Sequence, residues 1–145
     1  EEASEVARLV SSPRISGLDG PDRGEGASAL LVERAAAARA RGALPLALLA
    51  ARWSWRGARP GLPAPRGARP LVVTAPPGIE SPSDWPTARV ASGQGHHECA
   101  GGLALVTAVQ SIASGEADEA LVLGHAPDRG HAFLFTAPPQ AASSS

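Results

Sequence analysis

Four consecutive residues, His96, His97, Glu98 and Cys99, gather two imidazoles, a carboxylate and the only thiol of the chain. Metal ligation is the first chemistry such a set suggests, since each donor type binds zinc. Neighbouring residues, however, point in different directions on a helix or a strand, so four in a row cannot converge on one ion. His125 and His131 follow, but no His-Glu-x-x-His spacing and no paired cysteines occur. No metal is therefore expected. A nucleophilic thiol is the second possibility. Cys99 precedes a stretch that reads as a helix, and a helix dipole beside an imidazolium lowers a thiol pKa. The third is a small apolar residue packed where a helix meets a sheet, which is the usual fate of free cysteine.

Other polar groups carry less. Gly101 and Gly102 fall in the first turn of that helix and suggest close packing. A phosphate loop would need a glycine spacing and a Lys or Ser/Thr that are absent. Asp22, Glu25 and Glu33 have no second carboxylate at a defined offset, so a two-carboxylate hydrolase is not supported.

The elements that must position these residues follow from hydrophobic period and turn residues. EEASEVARLV places Val6, Leu9 and Val10 on one helical face. Ala29–Glu33 reads as a short apolar strand. The Ala/Arg run to Arg41 reads as a helix ended by Gly42. PLALLAARWSW reads as a strand, and residues 56–70, with two copies of RGARP around a Pro-rich middle, as an exposed, semi-rigid loop. PLVVTAPPG and TARVASG read as further strands, then a helix runs from about Ala100 to Ser114. ADEALVLG, HAPDRG and HAFLFTA read as strand, turn and antiparallel return strand. This alternation predicts an α/β fold with a mixed sheet and packed helices. One domain is expected over residues 1–137, with a disordered tail over 138–145.

Composition excludes several classes. The 145 residues carry 13 basic and 14 acidic side chains, so neither a nucleic-acid surface nor an anionic-membrane surface is indicated. Every basic residue is arginine, and Lys, Met, Tyr and Asn are absent. That bias suits a coding sequence rich in G and C, and it leaves a core of Ala, Leu and Val. One cysteine rules out an internal disulfide and suits a reducing compartment. No signal peptide and no long apolar run is evident, so a soluble, cytoplasmic protein is expected. The opening residues look like part of a longer polypeptide.

Three segments, in order, resemble β-ketoacyl-acyl-carrier-protein synthases. The first is Gly24-Glu25-Gly26-Ala27, followed by the apolar stretch Leu30 to Arg34 and a helix closing in Arg39 to Ala43. The second is GHHECAGG, similar to the family's Gly-His-x-x-x-Ala-Ala-Gly, with Gly95, His96, Ala100 and Gly102 in place and Gly101 for the second alanine. The third is EALVLGHAPDRGHAFLF, placed like the family's closing strand, turn and strand. Together they cover roughly residues 15 to 137.

The resemblance implies a thiolase-like fold built from two similar halves, of which this chain would hold the end of the first and a shortened second half. It implies decarboxylative Claisen condensation, with a cysteine carrying the acyl chain and imidazoles stabilising the enolate. His96 would be the inherited histidine. The family's nucleophile segment lies upstream of Gly-Glu-Gly-Ala and is missing here. Its other histidine corresponds to Pro77, within TAPPGIES, and its lysine to Ala91. CAGGLALVTAVQSIASGEADEALVLG also looks like the family's nucleophile helix, which keeps Cys99 a candidate nucleophile.

The expectation is thus a catalytically incomplete synthase-like protein of fatty acid or polyketide biosynthesis, similar to a chain-length factor. It would have no cofactor, and its partners would be an acyl carrier protein and a ketosynthase subunit in a homo- or heterodimer. Two alternatives stay open: an acyl-transfer or thioester-processing enzyme using Cys99 with His96, and a non-catalytic structural or dimerisation module.

Overall fold

The computed structural model describes residues 27–75, 78–91, 100–126 and 129–139. The amino-terminal helix expected at EEASEVARLV lies outside these residues, as does the tail beyond 139. A five-stranded sheet is formed by β1 (Leu48–Arg56), β2 (Pro70–Thr74), β3 (Arg89–Val90), β4 (Glu119–Ala126) and β5 (Arg129–Thr136). Their order across the sheet is β1-β5-β4-β2-β3. β2 pairs in parallel with both β3 and β4, whereas β5 is antiparallel to β4 and to β1. Every strand except β5 therefore points the same way. Among the described residues two helices accompany the sheet, α1 (Ala35–Ala40) and α2 (Ala100–Ala113). The expected α/β class and mixed sheet are what the chain forms.

Burial explains the strand sequences. Leu-Val-Val-Thr in β2 and Ala-Leu-Val-Leu in β4 are unbroken apolar runs because central parallel strands are covered on both faces. On one face Val73, Ala120 and Val122 meet Ala104, Ala108 and Ile112 of α2. Residues 100, 104, 108 and 112 recur at the helical period, and their alanines let the helix lie close to the sheet. On the other face Val72, Leu121, Leu123, Ala132 and Leu134 pack with Trp85. No helix among the described residues covers that face. Leu62, Ile79 and Ala88 from the connecting segments and Ala51, Trp53 and Trp55 from β1 cover it instead. A buried leucine such as Leu121 contributes roughly 1.5–3 kcal/mol, which depends on its being covered.

Residues 56–70 are largely exposed, as expected of a semi-rigid loop, and hydrogen bonds pin them. Arg56 ends β1 and Pro70 begins β2. Between them, the carbonyl of Pro63 accepts the Trp85 indole N–H at 2.8 Å. The second RGARP copy is held more firmly still. The N–H groups of Arg66 and Gly67 donate to Glu119 Oε2 at 2.6 and 2.8 Å, and those of Ala68 and Arg69 to Asp118 at 3.1 and 3.0 Å. A side chain at Gly67 would collide with the Asp118 carboxylate, so only glycine fits there. The Pro-rich composition suppresses regular structure but leaves backbone donors that two adjacent carboxylates take up.

One expected strand is corrected. Ala29–Glu33 forms no strand; Leu31 is 87% exposed and Val32 77% exposed, with no neighbouring strand to pair with among the described residues. Glu33 instead bonds Arg41, whose guanidinium holds the carboxyl below its ordinary range. Of TARVASG, Ser92 and Gly93 lie outside the described residues, and β3 covers Arg89–Val90, paired with Val73 and Thr74 of β2. The stop expected at Gly42 is present. Gly42 has φ 74°, its N–H reaches the Arg39 carbonyl, and the Ala43 N–H reaches that of Ala38. These two bonds form the Schellman closure of α1.

Candidate functional site

The principal candidates from sequence, His96 and Cys99, lie outside the described residues together with His97, Glu98 and Pro77. Their flanks are placed. Ala91 follows β3, with its N–H on the Thr74 carbonyl at 2.7 Å, and Ala100 opens α2. The segment 92–99 therefore connects the carboxyl end of β3 to the first turn of α2. Of the two glycines in that turn, Gly102 faces the Ser28 hydroxyl at close range, as expected of tight packing. Gly101 does not: space is open where its side chain would be.

The two remaining histidines sit on the β4–β5 hairpin, where register pairs His125 with Gly130 and His131 with Gly124. His131 lies across Gly124 and meets Phe133 edge-on, with ring centroids 5.6 Å apart. Burial pushes its pKa below the ordinary histidine value, which favours the neutral ring. His125 is exposed. Among the described residues, no three His, Cys, Asp or Glu side chains come together where a metal ion could be held.

Among the described residues, two clefts offer places where chemistry could be housed. The larger, about 610 Å³, lies between β1, β5 and the second RGARP copy, and includes Trp53, Arg66, Asp118 and Glu119. Its carboxylates are committed. Glu119 is only 5% exposed, and it and Asp118 together receive the four N–H groups of residues 66–69, while Arg69 Nε lies 3.8 Å from Asp118. These groups hold a segment in place, and sequence reading missed them because nothing local links residues 118–119 to 66–69.

The smaller cleft, about 480 Å³, opens at the carboxyl ends of β2 and β3 and is lined by Thr74, residues 78–83, Trp85, Thr87, Ala88 and Val90. Ligands of open α/β sheets bind beyond the carboxyl ends of the strands. Two of its hydroxyls, Thr74 Oγ1 and Ser81 Oγ, are buried with no hydrogen-bond partner. The sequence signal for them was slight: a hydroxyl residue closing an apolar strand before Pro-Pro-Gly. Thr74 and residues 78–81 of its lining belong to TAPPGIES, the segment that resembles the stretch carrying the synthases' other histidine.

No family model matches the chain, and neither a curated protein nor a solved structure does. Among the described residues, no helix is long and apolar enough to cross a membrane.

Proposed function

We propose that this chain is a β-ketoacyl-synthase-like protein of the thiolase-like fold that lacks condensing activity by itself, similar to a chain-length factor. The observation that carries the catalytic part of this reading is Ala91. It stands where the synthases have a lysine, and it is 2% exposed, in the core with Val73, Ala104 and Val122. A buried methyl group at that point neither binds nor stabilises an anion. The family part rests on segment order. The stretch resembling the synthases' closing strand, turn and strand folds as the β4–β5 hairpin, directly after a helix that crosses from β3 to β4.

In this reading the chain works beside a ketosynthase subunit and an acyl carrier protein, with His96 as the inherited histidine. The test is condensation. Purified chain is supplied with malonyl- and acyl-carrier protein, alone and with a ketosynthase subunit. No product is expected from the chain alone; turnover by the chain alone overturns the reading.

Exposed apolar residues favour one companion reading, a dimerisation module. Leu31 and Leu44 are 87% and 91% exposed, and Leu46 and Leu49 approach or lie on the edge strand β1. Leu44, Leu46 and Leu49 lie within six positions of one another, and contiguous exposed apolar surface marks an interface. Sedimentation at micromolar concentration tests this: dimers that Leu44→Asp and Leu46→Asp dissociate support it, and a monomer at all concentrations refutes it.

A further inference from the structure

The larger cleft, between β1, β5 and the second RGARP copy, is lined by two side chains of opposite charge that do not pair with each other. Only the backbone N–H of Arg66 is engaged, on Glu119. Its exposed guanidinium has no hydrogen bond or ion pair among the described residues. Asp118 accepts the Arg69 N–H at Oδ1 and the Ala68 N–H at Oδ2, while Arg69 Nε stays beyond hydrogen-bond distance at 3.8 Å. A carboxylate oxygen accepts two donors, so each still has one site open, and the side chain is 27% exposed. Thr136 lines the same cleft at the end of β5, and its hydroxyl is likewise unbonded among the described residues. The walls between these groups are apolar, formed by Trp53, Pro63 and Leu134. Ala50, where the register of β1 against β5 slips, adds only a methyl group and leaves the space open.

Charge selects the occupant. A simple anion drawn to Arg66 would also meet Asp118 and Glu119, and a simple cation drawn to Asp118 would also meet Arg66 and Arg69. An uncharged molecule would displace water from both charges and give neither a partner. A molecule carrying both charges satisfies both: its carboxylate takes the fork of Arg66, and its ammonium donates to Asp118 and Thr136. The rest of it lies against Trp53, whose indole suits an aromatic or branched apolar group. An α-amino acid has this composition, with ammonium and carboxylate on one carbon and an apolar side chain as the third substituent. The cleft volume of about 610 Å³ lies within the range of small-molecule sites, roughly 300–1,000 Å³.

We propose that this cleft binds a free α-amino acid with an apolar side chain, held between Arg66 and Asp118. The proposal goes beyond the synthase-like reading and stands on the cleft alone. Saturation-transfer NMR titrations on the full chain test it with L-phenylalanine and two analogues. N-acetyl-L-phenylalanine has no ammonium, and L-phenylalanine methyl ester has no carboxylate. L-phenylalanine should bind, and each analogue should bind about fivefold more weakly, the effect of one partly exposed ion pair. Arg66→Gln changes an exposed side chain that has no partner among the described residues, so the fold is expected to persist. This variant should bind L-phenylalanine about fivefold more weakly without weakening the methyl ester. Absence of transfer to L-phenylalanine, equal binding of either analogue, or unchanged L-phenylalanine affinity in Arg66→Gln would overturn it.

Discussion

Single side chains hold this fold at points far apart in sequence. Glu119 is the clearest case, a nearly buried carboxylate accepting two N–H groups from the second RGARP copy. Hydrogen bonds to a charged group contribute roughly 1.5–3 kcal/mol each, and removing the acceptor strands the donors. Glu119→Ala should therefore lower stability by about 3 kcal/mol, read as a fall in the urea midpoint. Glu119→Gln, which keeps a carbonyl acceptor, should lose less. His131 gives a pH effect of definite sign. Its pKa is lowered by burial from 6.5, so the unfolded chain binds the proton more readily than the folded one. Above pH 6.5 both states are neutral and the full stability is present. As the pH falls below 6.5 stability is lost, until the folded state also takes up the proton. Denaturation midpoints should decline in that window, and His131→Gln should remove that part of the decline. The residues that first suggested chemistry, His96 to Cys99, were conspicuous by type, whereas Thr74 looked like one more strand residue. Its significance depends on what surrounds its oxygen, and composition does not record that.

At the scale of elements, local signals were reliable where a pattern and a stop coincided. The run from Ala100 has small residues at helical spacing and closes before Gly115, which has φ 75°. In the hairpin β4 is an unbroken apolar run and β5 alternates in burial. The end of α1 was legible from a single glycine, and Gly42→Ala should cost about 1 kcal/mol because alanine resists a φ of 74°. Thermal unfolding of that variant measures the loss directly. Ala29–Glu33 failed as a strand for the opposite reason. Its apolar run satisfies strand preference, yet a strand exists only if a neighbour supplies hydrogen bonds, and β1 pairs on just one side, with β5. β3 covers two residues, paired with Val73 and Thr74 of β2.

The described residues are asymmetric about the sheet. One face has a helix, and against the other pack connecting segments pinned through Trp85. Sequence reading gave the α/β class but not this arrangement, since a Pro-rich stretch carries no periodicity to show which surface it covers. Trp85 is where cover and sheet join, with a buried ring and an indole N–H on Pro63. Trp85→Ala should lower stability by about 3–5 kcal/mol and release the segment it pins. Hydrogen exchange at Arg66 and Gly67 should accelerate by more than overall destabilisation explains. Faster exchange spread evenly over β4 and β5 as well would show that the segment is not a separate unit.

The position of β5 also bears on how the chain reaches this state. β5 meets β4 across a tight hairpin, a contact made within microseconds once the residues exist. Its other neighbour is β1, and pairing Leu48 with Thr136 closes most of the described chain into a single loop. Such distant closure slows folding. Until β1 arrives, one edge of β5 offers unpaired backbone groups to any passing strand. The antiparallel strand, next to the edge of an otherwise parallel sheet, is thus a point at which this protein, during folding, is open to aggregation.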